Sequence, residues 1–495
     1  MTRISRRDAI AGVASGLVAG LPMWRAAWGA EPEAAGDFIA DRLAAYADGL
    51  RFSSLDAVTT EAAKAHLIDA LGCAMVALDE KPVRICRDVA LSTQGGVSTI
   101  LGTSRKTSAD LAAFANGVAV RYFDFNDLYV GKEPGHPSDI ISACLAVGEA
   151  EGASGQDVLT AIVLAYEIDC RLLDAASLTG RGWDHPVYSL PAAALAAGKL
   201  MRLAPPKLAQ AVNIAINGHL AMNQTRVQVL SDWKGVADAE ATRNAVFAAL
   251  LARGGLTGPA PIFEGRVGLF KQVTGPFTID TAAFGGGANR FKILDCSVKL
   301  YPAQGYSLTA IPAGIAVAQE AGGTDRIVKL EIATTQYAYI SAGRDAEKWT
   351  PQTRETADHS LPYIVARAMF DGDISNASFT TDKITDPRIR AFMQKITVRE
   401  DPALTALVPK ALASRVTATL DDGRVVSRQV DDLPGFAGRA MERGDVEHKF
   451  RQNVAGILPE AQTRAALDAL WTFDQQSNIA QVMAHLVVAS SRDRP

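Results

Sequence analysis

From about residue 36 to residue 290, apolar side chains recur every three or four positions, the spacing of one helix face after another. Val158, Leu159, Ile162, Val163, Tyr166, Cys170 and Leu173 form one such stripe. Ser154-Gly155-Gln156-Asp157 in front of it has the make-up of a capping box, in which a serine and an acidic residue three positions on satisfy each other's backbone amides. Gly152 closes the preceding helix, and Gly254-Gly255 closes the one that holds Ala245 to Ala252. The run Ala192 to Gly198 has almost no bulky side chains, so helices can approach closely there. The pattern predicts an all-α bundle.

Beyond the Gly285-Gly286-Gly287 break the period changes. Val328, Leu330 and Ile332 alternate with Lys329 and Glu331, Ile396 and Val398 flank Thr397, and Val416 to Leu420 meets Val425-Val426 across an Asp421-Asp422-Gly423 turn. Helical patterns over Ser307 to Glu320 and Pro362 to Phe370 lie between these strands, which predicts a smaller α+β part. Helical spacing then returns in Val446 to Phe450 and in Ala466, Leu470, Ile479, Met483 and Leu486. There is no internal repeat. The fold class expected is mainly α.

A chain of 495 residues is too long for one compact core, so about two domains are expected. The formal charge is −4 and the basic residues are dispersed, which argues against nucleic-acid binding. An anionic ligand would have to be held by a local cationic pocket. Five cysteines, widely separated and without metal-ligand spacing, read as buried thiols and exclude an iron–sulfur or zinc site. At the N-terminus, Ser5-Arg6-Arg7-Asp8 precedes an apolar run from Ala9 to Met23 and small residues from Ala26 to Ala30. This order predicts a twin-arginine signal over residues 1–30, use of the twin-arginine export machinery and a periplasmic destination, with cleavage after Gly29 or Ala30. No segment is long and apolar enough to predict a stable membrane span.

Candidate chemistry concentrates in a few places. Asn116 to Asp127, ending Arg-Tyr-Phe-Asp-Phe-Asn-Asp, leads through a Gly-rich turn to His136-Pro137-Ser138-Asp139, so Asp124, Asp127 and His136 share one loop between apolar helices. Alone, such a loop serves equally to cap a helix or to bear catalysis. His185 in Trp183-Asp184-His185-Pro186 reads as a turn residue or as an imidazole oriented by Asp184. Lys234 in Asp232-Trp233-Lys234-Gly235 and Lys299 in Val298-Lys299-Leu300-Tyr301-Pro302-Ala303 are snorkelling lysines or carboxylate holders. Asp358-His359-Ser360 is a further polar cluster, either part of the site or a helix cap.

Together and in this order these motifs resemble the MmgE/PrpD family, the 2-methylcitrate dehydratase and cis-aconitate decarboxylase group, over roughly residues 36–490. The resemblance implies a helical domain over 36–294, an inserted α+β lid over 295–434, and C-terminal helices over 435–495 that rejoin the first domain. It implies that Asp124, His136 and His185 are catalytic, that Lys234 and Lys299 hold substrate carboxylates, and that Arg243 adds a further basic group. It implies a homodimer and a small di- or tricarboxylate substrate, deprotonated beside a carboxylate with loss of water and without metal or organic cofactor. Decarboxylation, epimerisation and carboxylate binding without turnover are alternatives. The chain departs from its relatives where many read Pro-Ala-Glu-x-His-Ser-Gln: here Gln304, Tyr306 and Leu308 stand, and Leu128 replaces a common Thr. Gln304 cannot be a base and Tyr306 would donate rather than accept a proton, so these two are expected to contact a somewhat different substrate.

Overall fold

The computed structural model describes residues 37–488 except Gln94 and Ala437. The segment read as an export signal lies outside these residues. The first part is built from helices α1 (Ile39–Gly49), α2 (Ala57–Val76), α3 (Lys81–Leu91), α4 (Ala109–Arg121), α5 (Ile141–Ala150), α6 (Gly155–Ala175), α7 (Pro186–Leu200), α8 (Pro205–Gly218) and α9 (Ala237–Arg253). α6 begins at the predicted capping box, with Ser154 Oγ and Asp157 each bonded to the other's backbone N–H. α7 is buried along nearly its whole length and packs against α6, α8 and α9. Its alanines allow this close approach.

The helical part also holds short strands that the periodicity did not predict. β1 (Ser98–Thr99) pairs with β2 (Lys106–Thr107). β3 (Asp127–Val130) pairs antiparallel with β4 (Pro134–Gly135) and with β5 (Ser297–Val298). Strands of two to four residues are too short to leave a period-2 signature.

The α+β part is a four-stranded sheet of β6 (Ile327–Thr334), β7 (Ile396–Glu400), β8 (Ser414–Leu420) and β9 (Val425–Val430), in the order β7-β6-β8-β9. Only the β6–β7 pair is parallel. Ser414, Val416, Ala418 and Leu420 of β8 point inward in strict alternation, and α10 (Ala310–Ala321) covers that face, backed by α11 (Leu361–Asp371). The chain ends with α12 (Arg443–Val454), which packs on α2, and α13 (Glu460–Trp471). One hydrophobic cluster joins residues 39–296 to 446–486, and a second joins residues 303–436 with Leu128. Among the described residues no helix is long and apolar enough to cross a membrane.

Candidate active site

Where α4 ends, Asp124 turns the chain with φ +51°, a left-handed conformation that Asp tolerates better than most residues. The chain then enters β3, and the register Asp127↔Val298 brings β5 alongside. Lys299, the next residue, is thereby carried to Asp124 across 175 positions: its Nζ lies 2.6 Å from Asp124 Oδ1 and 3.0 Å from the Asp124 carbonyl. β4 returns the chain so that His136 Nδ1 sits 2.6 Å from the Asp127 carbonyl oxygen. A carbonyl only accepts, so Nδ1 carries the proton and the neutral ring keeps its lone pair on Nε2. That Nε2 stands 3.9 Å from Asp124 Oδ1.

Asp124 is the hub of the cluster. Arg121, the last residue of α4, binds its Oδ1, Lys234 Nζ lies 3.4 Å from Oδ2, and His359 Nε2 lies 3.7 Å from Oδ2. Burial alone would raise the Asp124 carboxyl, but Arg121, Lys234 and Lys299 outweigh it and hold the group well below the usual carboxylate range. Burial, together with Arg121 and Lys299, pushes His136 well below its ordinary value, so the imidazole is neutral at neutral pH. Burial also brings the Lys299 ammonium down to about 8, against the pull of Asp124.

His185 is in the opposite state. Its Nδ1 is 3.1 Å from Asp184 Oδ1 and its Nε2 is 2.9 Å from Asp238 Oδ1. Burial opposes the charged ring, but Asp238 and Asp184 override it and raise the imidazolium to about 10. Arg226 completes this group, with Nε 2.9 Å from Asp184 and Nη2 2.9 Å from Asp238. Asp139, Asp238 and His185 converge closely enough to hold a cation, but Arg121 Nε lies 3.6 Å from Asp139 and 3.5 Å from Asp238, so that place already has a positive occupant.

These groups border a cavity of about 210 Å³, whose wall includes Arg121, Asp124, His136, His185 and Arg226 from the first core region and Lys299 from the link that follows it. Gln304, Tyr306, Lys348 and His359 face them from the second. The volume suits a small acid and is below that of drug-sized pockets. Gln304 accepts a bond from Ser307 Oγ, and Tyr306 stacks on Tyr337 with centroids 5.3 Å apart. Burial raises the Tyr306 phenol, which keeps it a proton donor. Leu128 makes part of the wall apolar.

Two expected carboxylate holders are elsewhere. Lys234 is absent from the cavity wall; its Nζ lies 3.2 Å from both oxygens of Asp358 and steadies Asp124 from behind. Arg243 projects from α9 to Asp110 at 3.7 Å, partly exposed and away from the cavity. Asp127 is spent on Ser138, whose N–H and hydroxyl donate to it, and on His66 at 3.4 Å. Conversely, Arg121, Arg226 and Lys348 line the cavity without having been singled out. His359, left undecided above, lines it with Nδ1 bonded to Asp358 at 2.6 Å and its ring brought down to about 4 by burial and Lys234.

Residues 41–282 match the MmgE/PrpD N-terminal domain and residues 301–474 the MmgE/PrpD C-terminal domain. The chain is 27% identical over 440 residues to a 2-methylcitrate dehydratase of Cupriavidus necator, covering 85% of this chain and 90% of the relative. It is 28% identical over 440 residues to the 2-methylcitrate dehydratase of Escherichia coli strain K12, covering 81% and 87%. It is 27% identical over 454 residues to the alkylcitrate dehydratase phiI of Fungal sp. (strain ATCC 74256), covering 84% and 87%. The chain belongs to the MmgE/PrpD family. Like these dehydratases, it is a lyase.

Proposed function

We propose that the protein is a hydro-lyase that removes water from a small hydroxy-tricarboxylate of the alkylcitrate kind, with His136 as the base. The observation that carries this reading is the His136 imidazole, neutral, with Nδ1 committed to a carbonyl and Nε2 free beside Asp124 and Lys299. His136 Nε2 takes the proton from the carbon next to a carboxylate. Arg121 and Arg226, fixed cations lining the cavity, stabilise the charge that develops on that carboxylate. Lys299, brought down to about 8, gives its proton to the departing hydroxyl. One proton enters the cluster and one leaves it, so its net charge is unchanged, and Asp124, close to both groups, steadies whichever is cationic. His185, already an imidazolium, cannot be the base and contributes positive potential. Leu128 and Tyr306 on the wall suit an alkyl substituent and support a substrate unlike citrate itself.

Export through the twin-arginine route and a homodimer belong to the same proposal. Cell fractionation of a variant with Arg6 and Arg7 changed to Lys, and the mass in solution by light scattering, test these two points.

Proton NMR in deuterated water with 2-methylcitrate, citrate, cis-aconitate and malate tests the chemistry. An alkene signal or deuterium exchange with one acid, lost in His136→Gln while binding persists, is expected. Carbon dioxide release in place of alkene formation would assign decarboxylation, and binding without exchange in any case would overturn the lyase mechanism.

A further inference from the structure

The cavity's buried cations are nearly all occupied. Arg121 binds Asp124, Arg226 binds Asp184 and Asp238, and Lys299 binds Asp124. Lys348 differs: it is 2% exposed, lines the cavity, and its Nζ is buried with no hydrogen-bond partner. The residue is firmly held at its backbone. It lies in a single turn over Ala346–Trp349, its N–H bonds to the Asp345 carbonyl at 3.0 Å, and the Ser360 hydroxyl donates to its own carbonyl. A buried ammonium without an acceptor is costly, and folding gains nothing visible from placing one here. Burial lowers the Lys348 pKa, with Asp358 opposing.

The placement has a direction. Arg121 and His136 belong to the first core region and Lys299 to the short link after it, whereas Lys348 comes from the α+β part, as do Ile340 and Arg344, which also line the cavity. Arg344 is half exposed and paired with Asp345 at 2.8 Å. An acid held at Lys299 thus shares one small cavity with Lys348, whose ammonium is left to meet another of its carboxylates.

We propose that Lys348 is a specificity-determining residue that binds a second carboxylate of the substrate, remote from the carbon that loses its proton, so that only acids with two or more carboxylates span the cavity. The proposal rests on the lyase reading above only in taking the ligand to be a carboxylic acid.

The test uses the full protein and two unreactive probes, tricarballylate with three carboxylates and butyrate with one, in calorimetric titrations of wild type, Lys348→Met and Lys348→Arg. Tricarballylate affinity should fall tenfold or more in Lys348→Met, be largely kept in Lys348→Arg, and butyrate affinity should be unchanged. Because its ammonium has no partner in the free protein, Lys348→Met should melt no lower than wild type, which separates ligand binding from a structural role. Equal tricarballylate affinity in wild type and Lys348→Met, or a parallel loss for both probes, would overturn the proposal. Lys348-dependent tricarballylate binding in a protein that turns over no acid would uphold it and defeat the lyase reading. Turnover by wild type with unchanged KM in Lys348→Met would do the reverse.

Discussion

Lys449 is far from the cavity in sequence, yet its removal should disable the site. It lies on α12, almost fully buried, donating to the Phe125 carbonyl at 2.8 Å and the Lys299 carbonyl at 2.8 Å and ion-paired with Asp69 Oδ1 on α2 at 2.6 Å. The charge also sits 3.9 Å from the Phe125 ring centroid. One side chain thus ties the backbone of Lys299 to the loop after Asp124. Lys449→Met keeps the stem and removes the charge. Breaking a buried pair by deleting one partner costs about 3–5 kcal/mol, a large part of the about 5–15 kcal/mol that holds a domain together. Misplacing Lys299 relative to Asp124 by about 1 Å would cost turnover on the order of 100-fold. Urea unfolding followed by circular dichroism gives the first quantity and the dehydration rate the second. Asp69→Asn is the control: it keeps a partner for Lys449 and leaves both carbonyl bonds intact, so it should lose stability while turnover stays within a few-fold. If Lys449→Met unfolds within about 1 kcal/mol of wild type and retains its rate, Lys449 does not position the site.

Four further outcomes are expected. The rate should fall above about pH 8 as Lys299 loses the proton it must donate, and the acid limb should lie below the ordinary histidine range because His136 is held neutral there; a pH profile of kcat checks both. His185 is raised to about 10 in the folded protein, so its contribution is complete below about pH 6.5 and is lost as pH rises toward 10. Urea stability should therefore decline by about 1.4 kcal/mol per pH unit between pH 7 and 8, before the opposite effect of Lys299 sets in, and His185→Gln should flatten that slope. Arg243→Ala should leave kcat and KM unchanged in the same assay, since its partner is Asp110. Gly435→Ala should impair both folding and turnover, measured by thermal melting and rate: its φ is +97° and an added Cβ would stand 2.2 Å from the carbonyl of Val298, next to Lys299.

The stripe from Val158 to Leu173 was readable because it lies along the buried side of α6, and Leu330 and Ile332 do point inward on β6, but Val328, expected beside them, is exposed because the register shifts between Ile327 and Lys329. The site was readable in its residue types more than in its geometry. Asp124, His136, His185 and Lys299 do converge on one cavity, but what joins Lys299 to Asp124 is a two-residue strand, too short for any periodic signal. Arg121 stood in the quoted motif three residues before Asp124, but because α4 ends at Arg121 and Asp124 turns the chain, no helical spacing pointed to their pairing. Arg226 lies in a stretch with no pattern, and Lys449 looks like any basic residue of a polar helix. Lys234 shows the converse: its aromatic setting marked a buried ammonium, and the acceptor beside it is the chain's own Asp358, which the sequence did not point to. Sequence reveals that a charge is buried more readily than it reveals its partner.

The charge balance explains how a chain with net charge −4 can attract an acid. Around the cavity, Arg121, Arg226, Lys234, Lys299, Lys348 and His185 are cationic. Facing them as anions are Asp124, Asp184, Asp238 and Asp358, with Glu133, whose carboxylate accepts from the Leu178 and Thr179 amides. Asp139 would even the balance, but burial and the neighbouring Asp238 raise its carboxyl well above the usual range, so it is the member of the cluster most readily protonated. The buried site is left with more positive than negative charge in a region of low dielectric, where an unbalanced charge is felt far more strongly than the dispersed acidic surface. On the proposed reading, a polycarboxylate would reverse that imbalance as it enters, with Lys348 and Lys299 meeting the same ligand. On the mechanism proposed above, the local field selects for an anion, and the proton passing from substrate to His136 and from Lys299 to the leaving group leaves that field unchanged through the reaction.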